Sequence, residues 1–118
     1  PVNNYAWSKL GGECAVQMYK NSLILRVCMT EKPFVHKEAF SDVLTNFIYH
    51  EDLVKIFLKL INKKGIINIG GPTKTVYNFV KIQNPKIKKT YAKKVRGLNF
   101  PLNSSMNLSK LKKILNTI

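Results

Sequence analysis

Acidic side chains are scarce in this 118-residue chain and absent from its second half: there are six, and the last is Asp52. From Lys55 onward, fifteen lysines and arginines stand with no carboxylate among them, and the chain as a whole carries a formal charge of +14. A cationic half of this kind steers phosphate-bearing or other acidic ligands towards itself. Lysine outnumbers arginine eighteen to two, with asparagine and isoleucine also abundant, so an AT-rich coding bias accounts for the same excess, and both readings stay open. Cysteine is equally sparse. Cys14 and Cys28 form neither a C-x-x-C pair nor a Cys/His cluster of zinc spacing, which leaves no disulfide framework and no metal site. Both are expected as reduced thiols packed like small hydrophobes. No apolar run approaches the ~18–20 residues that span a bilayer, and no secretory leader opens the chain, so a soluble, cytoplasmic protein without a membrane partner is expected. Internal repeats, the G-x-G-x-x-G fingerprint and the Walker pattern are all missing, which makes Gly70-Gly71 a turn rather than a phosphate cradle.

What remains is a globular composition, 45% hydrophobic, on a chain long enough for one modest core but small for a whole cofactor-dependent enzyme. The text opens at Pro1, inside a motif, so a fragment, a processed product or a truncated relative is expected. Residues 1–118 are read as a single fragment-like unit. The opening stretch, Asn4-Tyr5-Ala6-Trp7-Ser8-Lys9-Leu10-Gly11-Gly12-Glu13, organises the rest. Tyr5 and Lys9 are four residues apart, one turn along the same face of a helix, so an ammonium can lie close to a phenol. A neighbouring positive charge favours a phenolate, and a tyrosine so placed can act as a general acid or base.

Along the chain, residues 5–20 read as a helix with Leu10, Cys14, Ala15 and Met18 on one stripe, capped by Asn3 or Asn4. Gly11-Gly12 within it suggests close packing against another backbone. Residues 22–27 form a continuous apolar run of strand length, as in a parallel strand buried on both faces. Between Cys28 and Thr45 periodicity lapses in a long, apolar loop beyond a strand's C-terminal end, where open α/β sheets hold ligands. Arg26, Phe34 and His36 are the substrate-facing candidates there. A short strand then leads into a helix over 51–62 with Leu53, Val54, Phe57, Leu60 and Ile61 inward, and His50 is structural at the junction. Residues 66–69 are a strand, residues from Thr73 start another helix, and 107–115 form a short amphipathic helix with Leu108, Leu111 and Leu115 inward. The lysine-rich stretch 86–96 contains one aromatic residue, Tyr91. A nucleic-acid surface interleaves basic and aromatic residues, so a solvated strand or connector is the expectation there.

Residues 1–13, with Pro1, Asn3, Tyr5, Ser8, Lys9, Gly12 and Glu13, resemble the active-site helix of the extended short-chain dehydrogenases/reductases, P-x-N-x-Y-G-x-S-K-x-x-G-E, with Ala6 standing where the family often has glycine after the tyrosine. The stretch 46–54 resembles that family's F-x-x-V-x-D-L segment. Gly65-Ile66-Ile67-Asn68-Ile69-Gly70-Gly71 resembles its G-x-Y-N-I-G-G strand and turn. Pro101, Ser104, Lys110 and Leu111 resemble the closing segment of dTDP-4-dehydrorhamnose reductases and related nucleotide-sugar reductases and epimerases. The resemblance implies an α/β fold: the C-terminal part of a Rossmann-like parallel sheet over 1–27, and a mostly substrate-binding subdomain over 28–118 with one or two returning core strands. It implies Tyr5 as the proton carrier at a sugar carbonyl and Lys9 at the nicotinamide ribose, both therefore catalytic and cofactor-contacting. NAD or NADP is the implied cofactor, a nucleotide-sugar the substrate, and a homodimer through the 5–20 helix a partner arrangement. The Gly-rich opening, a ribose-binding acid and an upstream Ser/Thr are not in the sequence, so the cofactor half is expected on a missing N-terminal part. The alternative is a catalytically inactive, truncated relative acting as a basic binding or packaging protein, with nucleic acid or a larger assembly as its partner.

Overall fold

The computed structural model describes residues 1–98 and 101–116. Its framework is a parallel strand pair. Strand β1, Leu23–Val27, lies beside β6, Gly65–Ile69, in a register that sets Leu23 opposite Gly65 and Val27 opposite Ile69. Everything from β2 to α2 is inserted between them, as a parallel pair requires. The ladder passes to a second parallel pair, β2 (Met29–Thr30) with β5 (Ile48–Tyr49), through Cys28. Its N–H donates to Ile69 O at 3.0 Å, and its carbonyl accepts from Ile48 N–H at 3.2 Å. A third parallel pair joins β3, Glu38–Phe40, to β8, Lys88–Thr90, and an antiparallel one joins β4, Leu44–Thr45, to β7, Lys74–Thr75. This is an α/β fold with parallel strand pairs, as read from the sequence.

Among the described residues, four α-helices and a 3-10 turn join these strands. Helix α1, Asn4–Val16, begins where the Asn3 side chain accepts from Ala6 N–H at 2.8 Å. Helix α2, His50–Leu60, carries Glu51 and Asp52 in its first turn and Lys59 in its last, matching the helix dipole. Thr75 caps the single-turn α3, Val76–Val80, by accepting from Asn78 N–H at 3.1 Å. Asn107 accepts from Ser109 N–H at 2.9 Å at the start of α4, Ser109–Asn116. The 3-10 turn Ala92–Lys94 is held by Asp42, which accepts from the N–H groups of Ala92 and Lys93 at 2.8 and 3.1 Å.

Two apolar clusters result. One, between β1/β6 and helices α2 and α4, centres on Ile48, Leu60, Ile67, Ile69 and Leu111. The other, behind β3 and β8, centres on Ala39, Val43, Val76, Val80, Ile87 and Ala92.

Several expectations change. The helix expected over 5–20 stops at Val16, because Met18 and Tyr19 N–H groups turn back to Ala15 and Val16 carbonyls. None of its residues is buried, so the stripe through Leu10 and Met18 faces solvent, Cys14 is exposed, and an added Cβ at Gly11 or Gly12 meets nothing within 4 Å. Burial of β1 on both faces is not seen either: Ile24 alone is buried, and Arg26 is exposed. In α2 the inward stripe is Leu53, Ile56 and Leu60, spaced three and four apart, while Val54, Phe57 and Ile61 stay exposed. The long segment 28–45 is tied down by β2, β3 and β4, and the helix expected from Thr73 begins only at Val76, after β7. The stretch 86–96, expected as a solvated strand or connector, does hold a short strand, β8, with Lys88 and Lys89 exposed, and adds the 3-10 turn. Of the irregular stretch 98–106, residues 99–100 lie outside the described residues.

Candidate active-site helix

Helix α1 has a locally determined start and an open surface. Asn3 fixes its first turn, so Tyr5 and Lys9 fall one turn apart, with Lys9 Nζ 5.4 Å from the centre of the Tyr5 ring. Tyr5 is 70% exposed, and its hydroxyl has no hydrogen-bond partner among the described residues. Lys9 forms no ion pair among them either, and with Ser8, Gly12 and Glu13 it lines a shallow cleft against Leu23 and Ile24. Both groups are therefore free to meet a ligand. Tyr49, by contrast, is buried, and burial pushes its phenol above the ordinary range, so it stays protonated and structural.

What orients α1 is a pair the sequence does not announce. Arg26, in the middle of β1, donates from Nε and Nη2 to the two carboxylate oxygens of Glu13, each at 2.8 Å. This two-pronged contact fastens the last turn of α1 to the sheet. Its hydrogen bonds hold the Glu13 carboxyl below the usual carboxylate range and raise the Arg26 guanidinium. Glu13 was legible only as the last letter of the Gly12-Glu13 motif; thirteen residues separate it from its partner. Because its pKa is depressed in the folded state, the pair contributes fully above the ordinary carboxylate range, and the contribution is lost as pH falls through the depressed value. At partial exposure the pair is worth only about 0.5–1 kcal/mol. Arg26→Ala should therefore speed amide exchange across 4–16 several-fold at neutral pH, with no change in β1 or β6, and the difference from wild type should vanish in strong acid. Exchange read by mass spectrometry or NMR checks this.

The remaining sequence candidates sit elsewhere. Phe34 and His36 meet edge to face, ring centres 5.4 Å apart, and both line a groove of about 810 Å³ along the paired strands β3 and β8. Arg26 is not among the residues lining that groove. The structure thus keeps Tyr5, Lys9 and Arg26 on or beside α1, and Phe34 with His36 at the second strand pair. Among the described residues no group of three or more His, Cys, Asp and Glu is placed to hold a metal ion, and no helix is long and apolar enough to cross a membrane.

No protein-family model matches the sequence, and no curated protein matches it. Among solved structures, a hypothetical dTDP-4-dehydrorhamnose reductase from Sulfolobus tokodaii has the same fold, with a TM-score of 0.80 at 24% identity. The likeness covers 97% of this chain and 49% of that one, so the chain spans about half the length of that protein.

Proposed function

We propose that this chain is the proton-donating and substrate-side part of an NAD(P)-dependent nucleotide-sugar reductase or epimerase, acting on a 4-keto-6-deoxy sugar of the rhamnose type. The observation that carries it is the exposed Tyr5–Lys9 pair on a capped helix, anchored by Arg26, in a chain that shares its fold with a dTDP-4-dehydrorhamnose reductase. Lys9 fits a ribose: it is exposed, has no carboxylate to neutralise it, and presents three N–H donors beside the cleft. The nicotinamide, when bound, supplies hydride to the carbonyl carbon. This chain supplies the proton, which passes from Tyr5 Oη to the carbonyl oxygen, leaving an alcohol. Lys9 stabilises the phenolate left behind by its positive charge. The residues that would hold the dinucleotide's pyrophosphate are not in the sequence, and the reading places them on a partner half that covers the open face of α1. Tyr5→Phe in the working enzyme, assayed as oxidation of NAD(P)H by a 4-keto-6-deoxy nucleotide-sugar, tests the assignment; undiminished turnover overturns it.

A further inference from the structure

The stretch from Lys81 to Arg96 is cationic without interruption, and the fold supplies what its sequence lacks. Lys81, Lys86, Lys88, Lys89, Lys93 and Lys94 are all exposed, and no acid occurs among them. Tyr91 is the one aromatic residue between Lys86 and Arg96 in the sequence, but three more rings are brought in by the fold. Tyr77 lies under both Lys81 and Lys89, with ammonium-to-ring distances of 5.5 and 5.0 Å. Phe34 and Phe40, half-buried against the apolar cluster around Ala39 and Ile87, line the groove along β3 with their remaining exposed edges, and Lys37, Lys86 and Lys88 line the same groove together with Glu38. Tyr91 is 41% exposed, with Lys94 Nζ 4.9 Å from its ring centre. Two acids approach this face. Asp42 spends both oxygens on backbone N–H groups of the 3-10 turn, and Glu38, in the groove lining itself, stands opposite Lys88 in the β3–β8 register and offsets one of its lysines. The charge left over is strongly positive.

We propose that the face made by β8, the 3-10 turn and the groove against β3 binds single-stranded nucleic acid, independently of the reductase reading. Phosphates fall on Lys86, Lys88, Lys93 and Lys94, and bases on Tyr91 and the apolar lining at Phe34 and Phe40. Basic side chains tracking a backbone, with rings for successive bases, are what sequence-tolerant single-strand binding needs. The element is a short strand and turn beside a concave groove, and α3, which contributes Val76 to that groove, is a single turn, too short to serve as a recognition helix in the major groove of a duplex. Nor does this face carry the amphipathic helix that lies on a lipid surface.

Fluorescence anisotropy with a labelled oligothymidylate of about twelve nucleotides, and with a duplex of equal length, tests this at about 50 and 200 mM salt. The single strand should bind more tightly than the duplex, with a log–log salt slope of about −3, four phosphates at roughly −0.7 each. Reversing Lys86, Lys88 and Lys94 to glutamate should weaken binding at least about tenfold and flatten the slope by about 2. An equal reversal of Lys59, Lys63 and Lys64, at the end of α2, should cost less than about threefold. Tyr91→Ala, which leaves charge alone, should lose about fivefold or more at an unchanged slope. Circular dichroism establishes that each variant is folded. Absence of binding at low salt, equal loss in the two charge-reversed variants, or a duplex bound as tightly as the single strand overturns the proposal.

Discussion

Tyr5→Phe is expected to lower turnover of the proposed reductase by about 10²- to 10⁴-fold, the range for losing a positioned general acid, with almost no change in stability. The substitution removes one oxygen and keeps the ring. Tyr5 is 70% exposed and its hydroxyl is unpartnered among the described residues, so no buried group is orphaned and the thermal midpoint should stay within the small range of surface changes. The Lys9 ammonium keeps an aromatic face at 5.4 Å, so the helix surface is otherwise preserved. A loss of turnover with unchanged melting therefore reports on the proton. Lys9→Met, which removes the cation and keeps much of the chain length, should also slow turnover and in addition raise KM for the cofactor, since Lys9 has two roles in this reading. Unchanged kinetics in both variants would mean that the helix is a scaffold and the proton comes from elsewhere.

The sequence made this pair legible because its geometry is local: four residues on a capped helix fix the distance without help from the rest of the fold. Arg26 was legible as a residue near the site, but its contact was not. Glu13 and Arg26 meet only because α1 folds back along β1, and no periodicity encodes that return. The same limit hid β3 and β8. Three residues each, about fifty positions apart, they form a parallel pair whose alternation is too short to read, yet they create the groove holding Phe34, His36, Lys86 and Lys88. In α2 the helix itself was readable but its inward face was not, because apolar residues occur nearly all round it. Packing on Ile67 and Ile69 selected Leu53, Ile56 and Leu60. In α1 the expected burial failed for a different reason. Leu10 and Val16 in the helix, and Met18 and Tyr19 just beyond its end, are apolar or amphipathic enough to suit an interface, but all four stay exposed.

Asn46→Ala should destabilise the fold by about 3 kcal/mol, because groups from three segments hydrogen-bond to that one side chain. Asn46 is 1% exposed. Its Nδ2 donates to Gly71 O at 2.9 Å and to Thr73 Oγ1 at 3.0 Å, and its Oδ1 accepts from Met106 N–H at 2.7 Å. Its backbone carbonyl accepts from Gly71 N–H at 2.8 Å, so the loop before β5, the turn after β6 and the approach to α4 are pinned together. Truncation leaves the buried Gly71 carbonyl without this donor, at about 1–3 kcal/mol, frees the part-buried Met106 N–H at a smaller cost, and also removes side-chain volume. Thr73→Val removes one of the two acceptors of Nδ2 and should cost only about 1 kcal/mol. Gly70 explains why the approach is so close: a Cβ there would lie 2.6 Å from Asn46 O, against backbone that cannot give way. Gly70→Ala should therefore destabilise by an amount comparable to Asn46→Ala. Because both changes break the same junction, the double variant should lose less than the two single losses together. Urea unfolding of the four variants measures this. A strictly additive double variant, or an Asn46→Ala loss no larger than that of Thr73→Val, would show that the three segments are held by packing instead. Faster amide exchange confined to α4 in Asn46→Ala would locate the released segment at Met106.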